Sequence, residues 1–214
     1  MKIDRLHMVY YNLLDSMKND CCPICELVKK RTLQMMDSFL YESVNDPAIR
    51  KQISDARGFC NYHSTMLMEM GDPLAHALIY RDLIELAIND TKKEDFSKYI
   101  VHSSCLFCQQ EKETEKTYIS AFISGFGEDE FKEKYQAKGM LCMTHLYSMS
   151  RFNQTIYKQI EKATLLKYQQ LITFLDEIRK KNDYRFSDDE WSVGAKDAWK
   201  RAVAVINNQV GIHN

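Results

Sequence analysis

An all-α fold is predicted by three observations. Apolar residues recur at three- and four-residue spacing through most of the chain, no stretch alternates with period two, and turn-forming residues are scarce, with 7 glycines and 3 prolines among 214 residues. The first stripe, Ile3, Leu6, Tyr10, Leu13, Leu14 and Met17, marks an amphipathic helix. A second follows Cys25 through Leu27, Leu33, Met36, Phe39 and Leu40. Asp46-Pro47 and Asp72-Pro73 read as helix starts, the aspartate capping and the proline taking the first helical position. The helix opened by Cys60 is expected to break at Gly71-Asp72-Pro73 and resume through Leu74, Leu78, Leu83 and Ile84. Later, Met149, Phe152, Ile156, Ile160, Ala163, Leu171, Phe174 and Ile178 suggest a nearly unbroken helix to about Lys181. A tail helix is expected around Trp199, Ala202, Val203 and Ile206, after capping-box spacing at Ser187–Glu190, with Gly194 blurring its start.

Six of the seven cysteines fall into one arrangement used twice. Cys22-Pro-Ile-Cys25 is followed by Cys60-Asn-Tyr-His63, and Cys105-Leu-Phe-Cys108 by Cys142-Met-Thr-His145. The copies are offset by 83 residues at the CxxC and 82 at the CxxH; Gly58 and Gly139 precede the two CxxH motifs, and Phe39 aligns with Phe122. The chain thus reads as one all-α domain, 1–214, with internal repeats over about 21–90 and 104–181 and a tail over 182–214.

Two thiols three positions apart, joined by a cysteine and histidine from a helix start, make a tetrahedral donor set suited to zinc, not to the oxygen-seeking magnesium or calcium. Two zinc ions per chain are expected. Four protein donors leave no open position, which favours a structural role. Local closure spans only about 35 residues and has the smaller loop entropy. The expected sets are therefore Cys22, Cys25, Cys60 and His63 in one repeat, and Cys105, Cys108, Cys142 and His145 in the other. An iron–sulfur cluster is less favoured, since four cysteines are its commoner holders. Thiol–disulfide exchange is a rival reading of the CxxC pairs, but no strand precedes Cys22 and the histidines would go unexplained. Cys21 faces Ser104 in the repeat alignment and reads as a spare thiol.

The remaining features exclude more than they assign. With 29 basic and 30 acidic side chains the net charge is -1, which argues against a nucleic-acid binder. The longest apolar run, Ala202–Ile206, is far too short to span a membrane, and Met1–Arg5 does not resemble a secretory signal, so a cytoplasmic protein is expected. His7, His76, His102 and His213 have no spacing partners and are read as non-ligands. Met35, Met36, Met66, Met68 and Met70 are read as core filler, and Lys29-Lys30-Arg31 as a solvated face. No phosphate loop, GxSxG, HExxH or dinucleotide fingerprint occurs.

The segments Cys22–Cys25, Leu40–Pro47 (LYESVNDP), Arg57–His63 (RGFCNYH), Asp183–Phe186 and Trp199–Val203 resemble an uncharacterised bacterial and archaeal family, a domain of unknown function with paired CPxC and GFCxxH motifs. The resemblance runs over nearly the whole chain. It implies a prokaryotic cytosolic protein with metal-type residues and implies no activity. Repeat two departs from the pattern: leucine follows Cys105, and Gly139 lies one residue further from its cysteine.

Function is expected to be binding rather than catalysis: a zinc-stabilised scaffold for an unidentified protein or small molecule, with no nucleic acid or membrane partner. The alternatives are a redox-responsive protein and an enzyme with an unrecognised site in a helical cleft. The repeats diverge between their helices, Tyr41–Pro47 against Ser124–Glu130. The simpler account of that divergence is local, with Asn45 and Asp46 ending one helix and capping the next and Glu42 merely exposed; the alternative is a polar recognition site at Tyr41, Glu42, Asn45, Arg57 and Tyr62, closed over by Asp183-Tyr184-Arg185, with Glu42, Asn45 and Arg57 in one concavity.

Overall fold

Four of the seven cysteines start helices. The backbone carbonyls of Cys22, Cys60, Cys105 and Cys142 accept from the amides of Glu26, Ser64, Gln109 and Leu146, the first bond of a helical turn in each case. The computed structural model describes residues 2–100, 105–183, 185 and 190–208, and every regular element among them is helical. They are α1 (Lys2–Ser16), α2 (Pro23–Ser38), α3 (Pro47–Asp55), α4 (Asn61–Met70), α5 (Pro73–Lys92), α6 (Ser97–Ile100), α7 (Leu106–Gly125), α8 (Asp129–Ala137), α9 (Met143–Met149), α10 (Gln154–Lys181) and α11 (Ala198–Asn207). A π-helical turn, Phe39–Ser43, extends α2.

Local chemistry explains the boundaries. Asp46 caps α3 by accepting from the amides of Ala48 and Ile49 at 2.8 and 3.0 Å, and Asp72 caps α5 through Ala75 at 2.9 Å. The break expected at Gly71 is present. A second break, between α9 and α10, corrects the expectation of one continuous helix there. Asn153 turns its side chain back onto the amides of Thr155 and Ile156 at 3.0 and 3.3 Å and starts α10 afresh. The tail helix begins only at Ala198, beyond Gly194, whose φ of 88° is left-handed. Of the capping-box segment only Glu190 lies among the described residues.

The chain clusters into two compact units, Val28–Thr114 and the pair of segments Met1–Leu27 and Glu115–Asn214. Neither coincides with a sequence repeat. In the 28–114 unit the core gathers Met36, Phe39, Ile53, Phe59, Leu67, Ile79, Leu106 and Phe107. Phe39 meets Phe59 and Phe107 edge-on at 5.8 and 5.7 Å, and Phe59 stacks on Phe107 at 5.4 Å. Met36 is fully buried there; Met35, Met66 and Met70 are partly buried, while Met68 is exposed and is not core filler.

In the other unit, Phe122, Phe126, Phe131 and Tyr135 form a buried aromatic knot with ring centroids 5.2–6.4 Å apart. Gly125 makes the knot possible. A Cβ on Gly125 would lie 2.8 Å from the Phe131 ring, closer than packed atoms tolerate. We expect Gly125→Ala to cost about 1–3 kcal/mol by overpacking, and Phe131→Ala about 3–5 kcal/mol by leaving a cavity. Urea denaturation followed by circular dichroism measures both.

Candidate metal centres

Each knuckle contributes two donors from one helical turn, at the capping position and three residues on. Cys22 and Cys25 stand so at the start of α2, Cys60 and His63 at α4, Cys105 and Cys108 at α7, and Cys142 and His145 at α9. The structure brings them together as two clusters that could each hold a metal ion: Cys22, Cys25, Cys142 and His145, and Cys60, His63, Cys105 and Cys108. The pairing is therefore crossed. Each CxxC meets the CxxH of the other repeat, which corrects the expectation of local closure. The physical reason is that loop entropy grows only logarithmically. Lengthening the Cys25 connection from 35 residues to the 117 that separate it from Cys142 costs about 1 kcal/mol, little beside core packing.

The donor spacing suits a tetrahedron. With metal–sulfur bonds near ~2.3 Å and metal–nitrogen bonds near ~2.05 Å, its edges would be about 3.8 Å between sulfurs and about 3.6 Å from sulfur to nitrogen. In the first cluster Cys25 Sγ lies 3.7 Å from Cys142 Sγ, and His145 Nδ1 lies 3.3, 3.4 and 3.1 Å from Cys22, Cys25 and Cys142. In the second, Cys108 Sγ is 3.6 Å from Cys60 Sγ, and His63 Nδ1 is 3.2, 3.6 and 3.3 Å from Cys60, Cys105 and Cys108. All seven cysteines are free thiols.

Both histidines present Nδ1 to the sulfurs, which leaves Nε2 to face an acid. His63 Nε2 lies 3.1 Å from Glu111 Oε1 and His145 Nε2 lies 2.9 Å from Glu115 Oε1, ion-pair distances with the N–H directed off the hydrogen-bond line. Glu111, itself buried, accepts from the hydroxyl of the equally buried Thr32 at 3.0 Å. A carboxylate behind a ligating imidazole fixes its tautomer and raises its basicity. The sequence reading missed Glu111 and Glu115. The available signal was their place three and seven residues after Cys108.

The electrostatics favour a cation. Burial opposes thiolate at Cys22, but hydrogen bonds from Cys142 and Cys25 and the charge of His145 outweigh it and hold this thiol well below its ordinary range. Contact with Cys142 and Cys22 pushes Cys25 the other way. In the second cluster burial again opposes charge, yet His63 brings Cys105 down to about 7, while burial and the neighbouring thiols push Cys108 up. Burial works against protonated His63, but Cys105 and Glu111 prevail and raise it to about 10.

The backbone before each CxxH is fixed by a left-handed glycine, φ 105° at Gly58 and 74° at Gly139. Before Cys142 a further device acts. Tyr135, wholly buried, accepts from the Leu141 amide at 3.3 Å, and Tyr168 donates to the Leu141 carbonyl at 2.7 Å. The Met140 amide also donates to the Cys21 carbonyl at 3.0 Å, tying the two knuckles of that cluster together.

Arg57 is used inside its unit: Nε and Nη2 grip Asp90 at 2.6 and 3.2 Å, and Nη1 donates to the Ser54 carbonyl at 2.7 Å. Tyr41, Glu42 and Asn45 are exposed and Tyr62 is half-buried with its ring 5.1 Å from that of His63. One described cavity is lined by Ala48, Lys51, Gln52, Asp55, Ala56 and Gln109, another by residues 190–194, 196 and 197; neither holds any of the five. Tyr184 lies outside the described residues, while Asp183 and Arg185 pair with each other. His76 is bound to the Asp72 carbonyl at 2.8 Å and stacks on Tyr80; the His7 side chain, His102 and His213 lie outside the described residues. Arg57→Ala should destabilise by about 3–5 kcal/mol, because it removes the cation paired with the buried Asp90 carboxylate, which the Tyr99 hydroxyl at 3.3 Å does not replace, whereas Glu42→Ala and Asn45→Ala should stay within about 0.5 kcal/mol. Thermal melts of the three variants compare them.

Comparison with known proteins agrees with the repeat. Residues 5–101 and 98–211 match, in tandem, one family of unknown function, DUF6062. A curated relative from Caldicellulosiruptor sp. (strain Rt8B.4), an uncharacterized 23.9 kDa protein in xynA 3'region, is 31% identical over 204 residues, covering 91% of this chain and 98% of the relative. No solved structure matches the chain. The doubled match spans almost all of the sequence, and this chain belongs to the DUF6062 family.

Proposed function

We propose that this protein is a zinc-binding helical scaffold whose two centres are structural and whose outer surface binds a partner or small ligand. The observation that carries the reading is the pair of Cys3His clusters, each with donor spacings close to the edges of a zinc tetrahedron. Sulfur-rich donors favour zinc over the oxygen-seeking cations. Four protein donors close each centre, which favours holding the fold over activating water. The acids behind both histidines supply the support that ligating imidazoles ordinarily have. Free thiols throughout suit a reducing, cytoplasmic setting.

Protein purified without added metal should carry two zinc ions per chain by inductively coupled plasma mass spectrometry. Paired substitutions test the crossed ligation itself. Cys60→Ser with Cys105→Ser should remove one zinc only, since both belong to one centre, while Cys60→Ser with Cys142→Ser should remove both. Loss of two ions from the first pair would restore local closure. Structural zinc contributes roughly 10–16 kcal/mol of binding free energy in small fingers, so each lost ion should unfold its unit. Glu111→Gln, which keeps shape but not charge, should weaken zinc at its own centre by about 10–100-fold in competition with a chelator.

A further inference from the structure

The two centres have the same donors and different surroundings. Cys22, Cys25, Cys142 and His145 are all buried. In the other centre His63 and Cys105 are buried, while Cys60 and Cys108 are partly exposed, and it is these two whose sulfurs lie 3.6 Å apart. The buried centre is held through its backbone by the Tyr135 and Tyr168 hydroxyls on Leu141 and by the bond from Met140 to Cys21, the other through Arg57, which bonds the Ser54 carbonyl and Asp90. At the 82-residue offset, Ile53 and Leu86 stand where those tyrosines would be, and neither carries a hydroxyl. Access thus singles out one thiol pair.

Resting on the zinc reading, we infer that the Cys60–Cys108 pair is a peroxide-sensitive switch: its oxidation to a disulfide discharges one zinc ion while the buried centre keeps the other. The Cys60 sulfur, partly exposed at the start of α4 with the His63 amide 3.5 Å away, is the attacking group. It attacks one oxygen of hydrogen peroxide. The O–O bond breaks, hydroxide leaves, and Cys60 becomes a sulfenic acid. The Cys108 sulfur then attacks the Cys60 sulfur, forming the S–S bond and expelling a second hydroxide, which takes up any proton the Cys108 sulfur gives up. Two sulfurs have lost two electrons, and the two peroxide oxygens have gained them and leave as water after protonation. Closing the sulfurs from 3.6 Å to a bond of about 2.05 Å asks for a shift that partly exposed side chains can make. Zinc is then left with Cys105 and His63, two donors in place of four, and departs. Cys105 is not the resolving group, since it is buried while Cys108 is open.

The test uses the full-length, zinc-loaded protein carrying Cys21→Ser, so that every disulfide detected comes from the six cluster cysteines. Zinc content is measured first; fewer than two ions per chain overturns the metal reading and this inference with it. Hydrogen peroxide is then added, zinc release is followed with a chromogenic chelator, and disulfides are mapped by peptide mass spectrometry. The expected result is biphasic release. One ion leaves at least tenfold faster than the other, a Cys60–Cys108 disulfide accumulates in step with it, and thiol reductant plus zinc restores the starting content. Release of both ions at one rate, or a fast phase accompanied by a disulfide among Cys22, Cys25 and Cys142, overturns the inference and leaves the two-zinc scaffold standing.

Discussion

The convergence of three cysteine sulfurs at each of two points, four of the six buried, is the constraint that the rest of the fold serves. Any thiolate charge gathered there is costly without compensation. Helix starts supply the compensation. Each cluster is assembled from two helix N-termini, α2 with α9 and α4 with α7, whose unsatisfied amides and dipoles favour negative charge. The capping position and the third residue of a first turn lie on one side, so a CxxC or CxxH there delivers both donors to one point. Proline at position 23, the left-handed glycines before each CxxH and the tyrosine hydroxyls on Leu141 all fix how these helix starts are aimed.

Crossed ligation follows from packing. The residues inside the second CxxC, Leu106 and Phe107, are buried in a core with Phe39 and Phe59, so the knuckle is held by the rings of repeat one. Burying a phenylalanine and a leucine contributes roughly 3–6 kcal/mol, against about 1 kcal/mol for the longer closure of the other knuckle. Because both repeats offer the same donors, the exchange changes no ligand chemistry.

That equivalence also explains what the sequence could and could not reveal. All eight candidate ligands were legible, because a duplicated spacing has few other physical meanings. Their pairing was not, because Cys60 and Cys142 are interchangeable as donors and only tertiary packing separates them. Helix starts at Pro47 and Pro73 were legible through their aspartate caps. The start at Gln154 was not, since Asn153 carries the cap without any proline or glycine to mark it. Arg57 looked like a free cation beside a motif; its partner Asp90 lies 33 residues away, beyond any local pattern. Glu111 and Glu115 sit among Lys112, Glu113 and Lys116 on α7, where alternating charge reads as a solvated face.

The acids behind the histidines show what duplication left free to change. At the 83-residue offset the positions matching Glu111 and Glu115 are Val28 and Thr32, so α2 carries neither acid and α7 carries both. Thr32 instead gives its hydroxyl to Glu111. A buried carboxylate next to a site already rich in sulfur charge needs such a donor, because its own charge would otherwise be poorly solvated. Glu115 is only partly buried, so solvent can reach its carboxylate where Glu111 relies on a hydroxyl. The four donors of each cluster thus keep their types between the repeats, while each acid behind a histidine is supported according to its own burial.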